Sequence, residues 1–361
     1  MVTIQLQNLI DFVADVFAHA ESSPEEARRI ATYLTTANLT GHDSHGVIRV
    51  PVYNRWRKQG WVVPNQTGEV VVDTPSLAVV DGRFGYGQTV TPPAVRLGIE
   101  RCKKAGLAAV ALRNAGHIGR VGDWAEMAAA EGLVSVHFVN GAGSVLVAPF
   151  GGVERRLSTA PYCVGIPRKE QGPVVLDFAT SIVAEGKVLV ASRGGKKLPK
   201  GALIDLDGTL SEDPTVLYGP RTPDGPRDHS QGKGAIRAFG EHKGSGLALM
   251  CELLGGALTG TGATGPNRRF ANGMLAFYID PKVVDPANFF DGEMARYIAY
   301  FKDSKPAAGV EQVLIPGEPE AKMRAERTKN GVPLPDDTWA AIVNTAREVG
   351  VSEVSIQRAV S

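Results

Sequence analysis

Leu6, Leu9, Ile10, Val13, Val16 and Phe17 recur at a helical period and place one apolar stripe along a first helix. A second helix begins at Ser23, a capping residue, with Pro24 at its first position and Glu26 completing a capping box. Its apolar face is Ala27, Ile30, Ala31 and Leu34. A polar knot, Gly41-His42-Asp43-Ser44-His45-Gly46, follows before Pro51. Residues 66–90 read as short strands and turns. The pattern then becomes a helix over 93–105, a buried strand over 107–112, a glycine-punctuated loop NAGHIGRVG, a helix opened by Asp123 and running to Ala130, and a strand over 133–139. Further short strands lie within 153–185 and end in VVLDFATS. Residues 219–238 have no period and read as a mobile loop. A long apolar helix with a glycine-rich start follows, and two helices, 319–329 and 336–349, close the chain.

This alternation predicts an α/β fold with a mixed sheet. Helices at both ends predict one outer helical domain made of residues 1–75 and 310–361. Residues 76–309 then form a central α/β domain that binds cofactor and substrate. No internal repeat is visible.

A length of 361 residues is enough for two domains or three. Lys+Arg 39 against Asp+Glu 38 leaves a net charge of +1, which argues against nucleic acid or a membrane surface as partner. The three cysteines, Cys102, Cys163 and Cys251, form no CxxC pair and suit a reducing compartment. The N-terminal stretch is broken by Asp11 and Asp15 and has no basic start, so it does not read as a signal peptide. The best apolar run, GLALMCELLGGALTG, contains Glu252. A soluble, cytoplasmic protein is expected.

Familiar nucleotide signatures are missing. GxxxxGK[ST] and GxGxxG do not occur, and neither does the GxSxG elbow, which disfavours a standard Rossmann protein. The densest polar cluster is His42 to Tyr53. Arg49 suits a bidentate clamp on a carboxylate, and a histidine there suits acid/base work. Helix capping by Asp43 and Ser44 explains the same residues, and His42-x-x-His45 is also a metal-pair spacing. His117 follows the strand 107–112, where α/β ligands bind, although a loop histidine needs no such role. Asp177 ends an apolar strand and suits either orienting a histidine or capping a turn. His242-Lys243-Gly244-Ser245-Gly246 opens a helix and suits a phosphate site or tight packing against a sheet. Arg155, Arg156 and Lys187 read as solvated surface charges.

Six segments occur in order: GHDSHGVIRVPVY, NAGHIGRVGDWAEMAAAEG, APFGG, LDFATSIVAEGK, EHKGSGLALMCELLGGALTG and LIPGEPE. Together they resemble the type-2 malate/L-lactate dehydrogenase family from about residue 5 to residue 350, nearest its hydroxycarboxylate dehydrogenase B branch. The resemblance implies a non-Rossmann NAD(P)-binding fold, a homodimer, and NAD or NADP as cofactor, with NAD ahead. It implies an NAD(P)-dependent oxidoreductase that interconverts a 2-hydroxy acid and its 2-oxo acid. Ser44 and His45 match the family's Ser-His-Gly, with Asp177 as partner in a relay and His117 as a second acid/base candidate, placed behind His45. Arg49 is the expected carboxylate clamp and Tyr53 is expected to line the pocket. Cofactor contacts are expected from His117, Gly119, Arg120, Val121 and Gly122, from Ala179, Thr180 and Ser181, from His242, Lys243 and Gly244, and from Ser304, Lys305 and Pro306. No metal is required. Departures are Ser158-Thr159-Ala160-Pro161 where the family has GTNP, and Ser245 where it has Tyr. The alternatives are a reductase of cyclic ketimine amino acids on the same fold, a nucleotide-binding regulator, and a metal hydrolase using His42 and His45.

Overall fold

The computed structural model describes residues 1–169, 171–192, 197–220, 229 and 231–360. The chain opens with β1 (Val2–Ile4), α1 (Leu6–His19) and α2 (Pro24–Leu39). Two 3-10 turns, Asp43–His45 and Val47–Arg49, lead into α3 (Val50–Lys58). Then come β2 (Glu69–Asp73), β3 (Leu77–Asp81), α4 (Gly87–Ala105), β4 (Leu107–Ala115), α5 (Gly122–Ala130), β5 (Val134–Ala142), β6 (Val147–Ala148), β7 (Pro161–Ile166) and β8 (Val174–Ala179). The next stretch holds α6 (Glu185–Ser192), β9 (Leu203–Ile204), β10 (Leu210–Ser211), α7 (Thr215–Tyr218), β11 (Ala235–Arg237) and α8 (His242–Cys251), which continues as one π-helical stretch, Glu252–Ala257. The chain ends with β12 (Ala271–Ile279), α9 (Pro281–Val284), α10 (Phe289–Lys302), α11 (Glu318–Asn330), β13 (Val332–Leu334), α12 (Asp336–Val349) and α13 (Glu353–Val360).

The main sheet has the order β2-β3-β4-β12-β5-β7-β8, with β3 and β4 parallel and the other pairs antiparallel. The α/β expectation is met by a mixed sheet. A smaller sheet, β10-β9-β11-β6, stands beside it, and β1 pairs with β13. Three cores follow from these layers. One joins α1–α3 to Val332, Leu334, Ile342, Ala346 and Ile356, so the two chain ends bury their stripes against each other. A second lies between the main sheet and α4 and α5. The third packs α6–α8 on the small sheet. Residues 69–73, placed with the outer helices by the sequence, hydrogen-bond to β3 as an edge strand.

Local signals explain most starts and stops. Ser23 Oγ accepts from Glu26 N–H at 3.2 Å, as a cap should. Glu26 does not close the box, because its carboxylate accepts from Asn65 N–H at 2.7 Å. Helix α4 begins before Pro92 and Pro93 instead of at Pro93, its first turns being held by burial of Gln88, Val90 and Thr91. Of the expected loop 219–238, residues 221–228 and 230 lie outside the described residues, and its end is strand β11. No helix among the described residues is long and apolar enough to cross a membrane.

Candidate active site

The polar knot folds as the Asp43–His45 turn because Asn38, near the end of α2, fastens both sides of it. Asn38 Oδ1 accepts from Val47 N–H at 2.8 Å, and Nδ2 donates to Asp43 at 2.6 Å. Gly46 is obligatory here, since a Cβ would lie 2.1 Å from Asn38 Oδ1. Arg327 on α11 clamps the Asp43 carboxylate, at 2.6 and 3.1 Å, and also donates to the Asn38 carbonyl. The turn is thus braced from the outer helices. From it Ser44, His45 and Arg49 project; Ser44 Oγ lies 3.0 Å from His45 Nδ1, and Arg49 Nε donates to Ser44 O at 2.6 Å.

His117 reaches the same place from the loop after β4. That loop is fixed by Ile118 N–H on Asn272 Oδ1 at 2.9 Å and by close approach to Gly87, where a Cβ would meet His117 O at 2.3 Å. The His45 and His117 rings stack with centroids 5.4 Å apart and planes 18° apart. Trp56 and Phe270, stacked at 4.4 Å, form an aromatic wall next to His117. Helix α6 closes the opposite side, because Gly186 lets it pack on Ser44, and Glu185 comes to 3.8 Å from Arg49.

Electrostatics follow from this arrangement. Burial, then the Arg49 guanidinium, hold His45 down to about 3. The same two causes, followed by His45 itself, hold His117 well below its ordinary value. Both imidazoles are therefore neutral at physiological pH. Behind His117, Tyr53 Oη lies 2.6 Å from Nδ1 and accepts from Gln88 Nε2 at 3.0 Å. The Tyr53 hydroxyl also has the His117 carbonyl within 3.3 Å. It therefore donates to a bare Nδ1, or accepts from a protonated Nδ1 while donating to that carbonyl. Burial pushes the Tyr53 phenol upward, so it keeps its proton.

Several expected residues stand elsewhere. Tyr53 is buried behind His117 and does not line the pocket, since its hydroxyl is spent on His117 and Gln88. Asp177 accepts from Gly122 N–H at 2.7 Å, and no hydrogen bond among the described residues joins it to Ser44 or His45. It caps the start of α5, and the Gly122 amide is taken. Arg120 is committed to buried ion pairs with Asp123 and Glu126 at 2.8 and 2.7 Å, which leaves its guanidinium little freedom for a ligand. Gly119 keeps an open left-handed turn, and Val121 is buried. Thr180 and Ser181 are buried and bond to backbone carbonyls, next to Ala179 at the end of β8. At the start of α8 the amides of Lys243 and Gly244 already donate to Gly240 and Phe239, and a Cβ on Gly244 would meet Phe239 O at 2.1 Å. Tight packing accounts for that glycine, leaving the His242 ring and the Lys243 ammonium exposed. Ser304, Lys305 and Pro306 are exposed after α10. His42 turns to Glu320 at 3.3 Å while His45 faces His117, so these two imidazoles do not converge.

Sequence reasoning missed Gln88, Asn38, Arg327, Trp56, Phe270 and Glu185. Arg155, read as a surface charge, is half-buried and donates to the carbonyls of Leu217, His229, Gly232 and Gly234.

A crevice of about 230 Å³ lies between the loop 148–153 and the turn 237–241. Phe150, Arg237 and Glu241 line it; Glu241 is held at φ 59°, a rare backbone for a residue with a side chain. Ile182 N–H donates to Arg237 O, and four residues later Gly186 touches Ser44. At most about 14 Å of extended chain separates the two places.

The family model described as malate/L-lactate dehydrogenase matches residues 4–343. Hydroxycarboxylate dehydrogenase B of Escherichia coli (strain K12) is 39% identical, over 97% of this chain and 95% of that protein. L-lactate dehydrogenase of Cupriavidus necator is 33% identical, over 90% and 91%. The solved sulfolactate dehydrogenase of Methanocaldococcus jannaschii superposes with a TM-score of 0.84 at 30% identity, covering 100% of both chains.

Proposed function

Because the chain belongs to the malate/L-lactate dehydrogenase family, we propose that it interconverts a 2-hydroxy acid and its 2-oxo acid with a nicotinamide cofactor, in the crevice of His45, His117 and Arg49. The observation that carries this reading is the stacked, neutral imidazole pair beside one mostly buried guanidinium. A carboxylate needs the guanidinium, and a reacting oxygen needs an imidazole.

The residues present fit a dinucleotide that reaches from the crevice at Phe150 to the histidines. Phe150 offers a ring face for a base. Arg237 and Glu241, paired at 2.5 Å, offer a cation for a phosphate and an acceptor for a ribose hydroxyl. An acidic acceptor there favours NAD over NADP, since it repels an added phosphate. Ser181 pairs with Ala238 beside this crevice, and Gly119 follows His117 by two residues, so both suit a ligand running from one place to the other. The cofactor binds outside any doubly wound parallel sheet in this reading, which accounts for the missing fingerprint. When bound, the nicotinamide supplies or takes the hydride at substrate C2.

The chain's own residues do the rest. Arg49 holds the carboxylate. That anion cancels the guanidinium's positive potential, so the neighbouring imidazoles gain proton affinity when substrate arrives. His117 is the better-built proton carrier, because the Tyr53 hydroxyl serves it in either protonation state. His117 Nε2 gives a proton to the oxo oxygen in reduction and takes it from the hydroxyl in oxidation. His45, oriented by Ser44, lies against it and helps hold the reacting oxygen.

We also infer a homodimer. Leu249, Met250 and Leu253 on α8 and its π-helical continuation, with Leu258 just after it, are exposed and apolar, which suits a second copy. Light scattering of the wild type and Leu253→Glu tests this, with loss of the dimer expected only in the variant.

The function is tested by absorbance at 340 nm with NADH or NADPH, across 2-oxo acids and cyclic ketimines. Oxidation driven by an oxo acid supports the reading; oxidation driven only by ketimines replaces it with imine reduction.

A further inference from the structure

Glu185 opens α6, and Gly186 beside it holds that helix against Ser44. Its Oε1 accepts from the Tyr218 hydroxyl. Its Oε2 stands 3.8 Å from Arg49 Nη2, inside ion-pairing range and beyond hydrogen-bonding reach, and it takes no hydrogen bond from a described residue. Both side chains are mostly buried, at 17% and 20% exposure, so water screens the pair only in part. The other charged groups acting on this place are Arg120, already paired with Asp123 and Glu126, Lys187, exposed one residue past Gly186, and the His42–Glu320 pair on the far side of the turn.

A monocarboxylate bound to Arg49 makes the guanidinium a bridge between two anions. A second carboxylate on the same substrate brings a third anion to the Arg49 cation, beside an Oε2 that takes no hydrogen bond from a described residue. A hydroxyl or ammonium at that end has an acceptor waiting. We propose that Glu185 is a specificity-determining residue: it directs the pocket toward 2-oxo and 2-hydroxy monoacids whose chain ends in a hydrogen-bond donor, and against dicarboxylates. This rests on the hydroxy-acid reading above and adds the charge class of its substrate.

The test compares kcat/KM for oxaloacetate and its half-amide, 2-oxosuccinamate, with 3-hydroxypyruvate and pyruvate as further probes. The first two differ by one charge at nearly constant shape. In the wild type the half-amide should lead oxaloacetate by about tenfold or more, as like-charge juxtaposition requires, and added salt should narrow the lead. In Glu185→Gln the half-amide-to-oxaloacetate ratio should fall toward one. Hydroxypyruvate should lead pyruvate in the wild type and lose that lead in the variant. A wild type that prefers oxaloacetate, with the preference removed by Lys187→Met, overturns the proposal and makes Lys187 the partner of a dianion. Turnover of oxo acids with an unmoved ratio in Glu185→Gln overturns the role of Glu185 alone. Absence of turnover with every oxo acid overturns the reaction class as well.

Discussion

Replacing Tyr53 by Phe removes one oxygen from behind His117 and keeps the ring that packs with Phe17, Trp56 and Tyr86. Two hydrogen bonds vanish, that to His117 Nδ1 at 2.6 Å and that from Gln88 Nε2 at 3.0 Å. The first supports the imidazolium as His117 carries its proton. A bond to a charged group contributes about 1.5–3 kcal/mol net, so kcat should fall by roughly 10- to 150-fold. The second leaves a buried amide donor without a partner, which costs about 1–3 kcal/mol of stability and should lower the urea midpoint. The two effects separate in Tyr53→Phe/Gln88→Leu, which has no orphaned donor: stability should recover while kcat stays low. The imidazolium also loses its acceptor, so its pKa in the substrate complex falls and reduction declines at lower pH than in the wild type. A Tyr53→Phe enzyme with kcat within threefold of the wild type and an unmoved pH profile would refute the claim that Tyr53 supports His117.

Two further predictions rest on the same geometry. Asn38→Ala orphans the buried Val47 N–H and removes a donor from Asp43; it should cost about 2–4 kcal/mol of stability. A turn displaced by about 1 Å should also cost about 100-fold in kcat/KM; an enzyme destabilised in urea yet kinetically normal would show that the turn does not need Asn38. Burial and Arg49 depress both free-enzyme imidazoles, so reduction, which requires the protonated form, should lose about tenfold in kcat/KM per pH unit from roughly pH 5 to 8. Oxidation requires the neutral form and should be flat over that range, falling only in acid well below pH 6.5; rate profiles in both directions check the sign.

Local signals carried far in this chain. Helix α12 spans Asp336–Val349 as its pattern requires, and the Ser23 cap is in place. Ser44, His45 and Arg49 are legible as one polar cluster between glycines and His117 as a separate candidate after a strand, and only the family resemblance joins them. What stayed hidden depends on pairing across long separations. Gln88 and Tyr53 acquire their parts only when the first turn of α4 meets Tyr53 of α3. Arg327 reaches Asp43 from 284 residues away. Asp177 is expected in the site because it ends an apolar strand and Arg120 because the family resemblance implies it, but burial forces each to find a partner, Gly122 N–H for one and two carboxylates for the other. The π-helical stretch after α8 is likewise unreadable from period alone, since Glu252 there is buried and takes hydrogen bonds from Asn140, Ser158 and Thr264.

The central claim is that His117 moves the proton while Arg49 holds the carboxylate. The direct measurement is the 340 nm trace of His117→Asn beside His45→Asn, at saturating oxo acid and NADH. The account predicts that kcat falls about 10²- to 10⁴-fold in His117→Asn, and by less in His45→Asn. A His117→Asn enzyme that keeps kcat within tenfold of the wild type would contradict it.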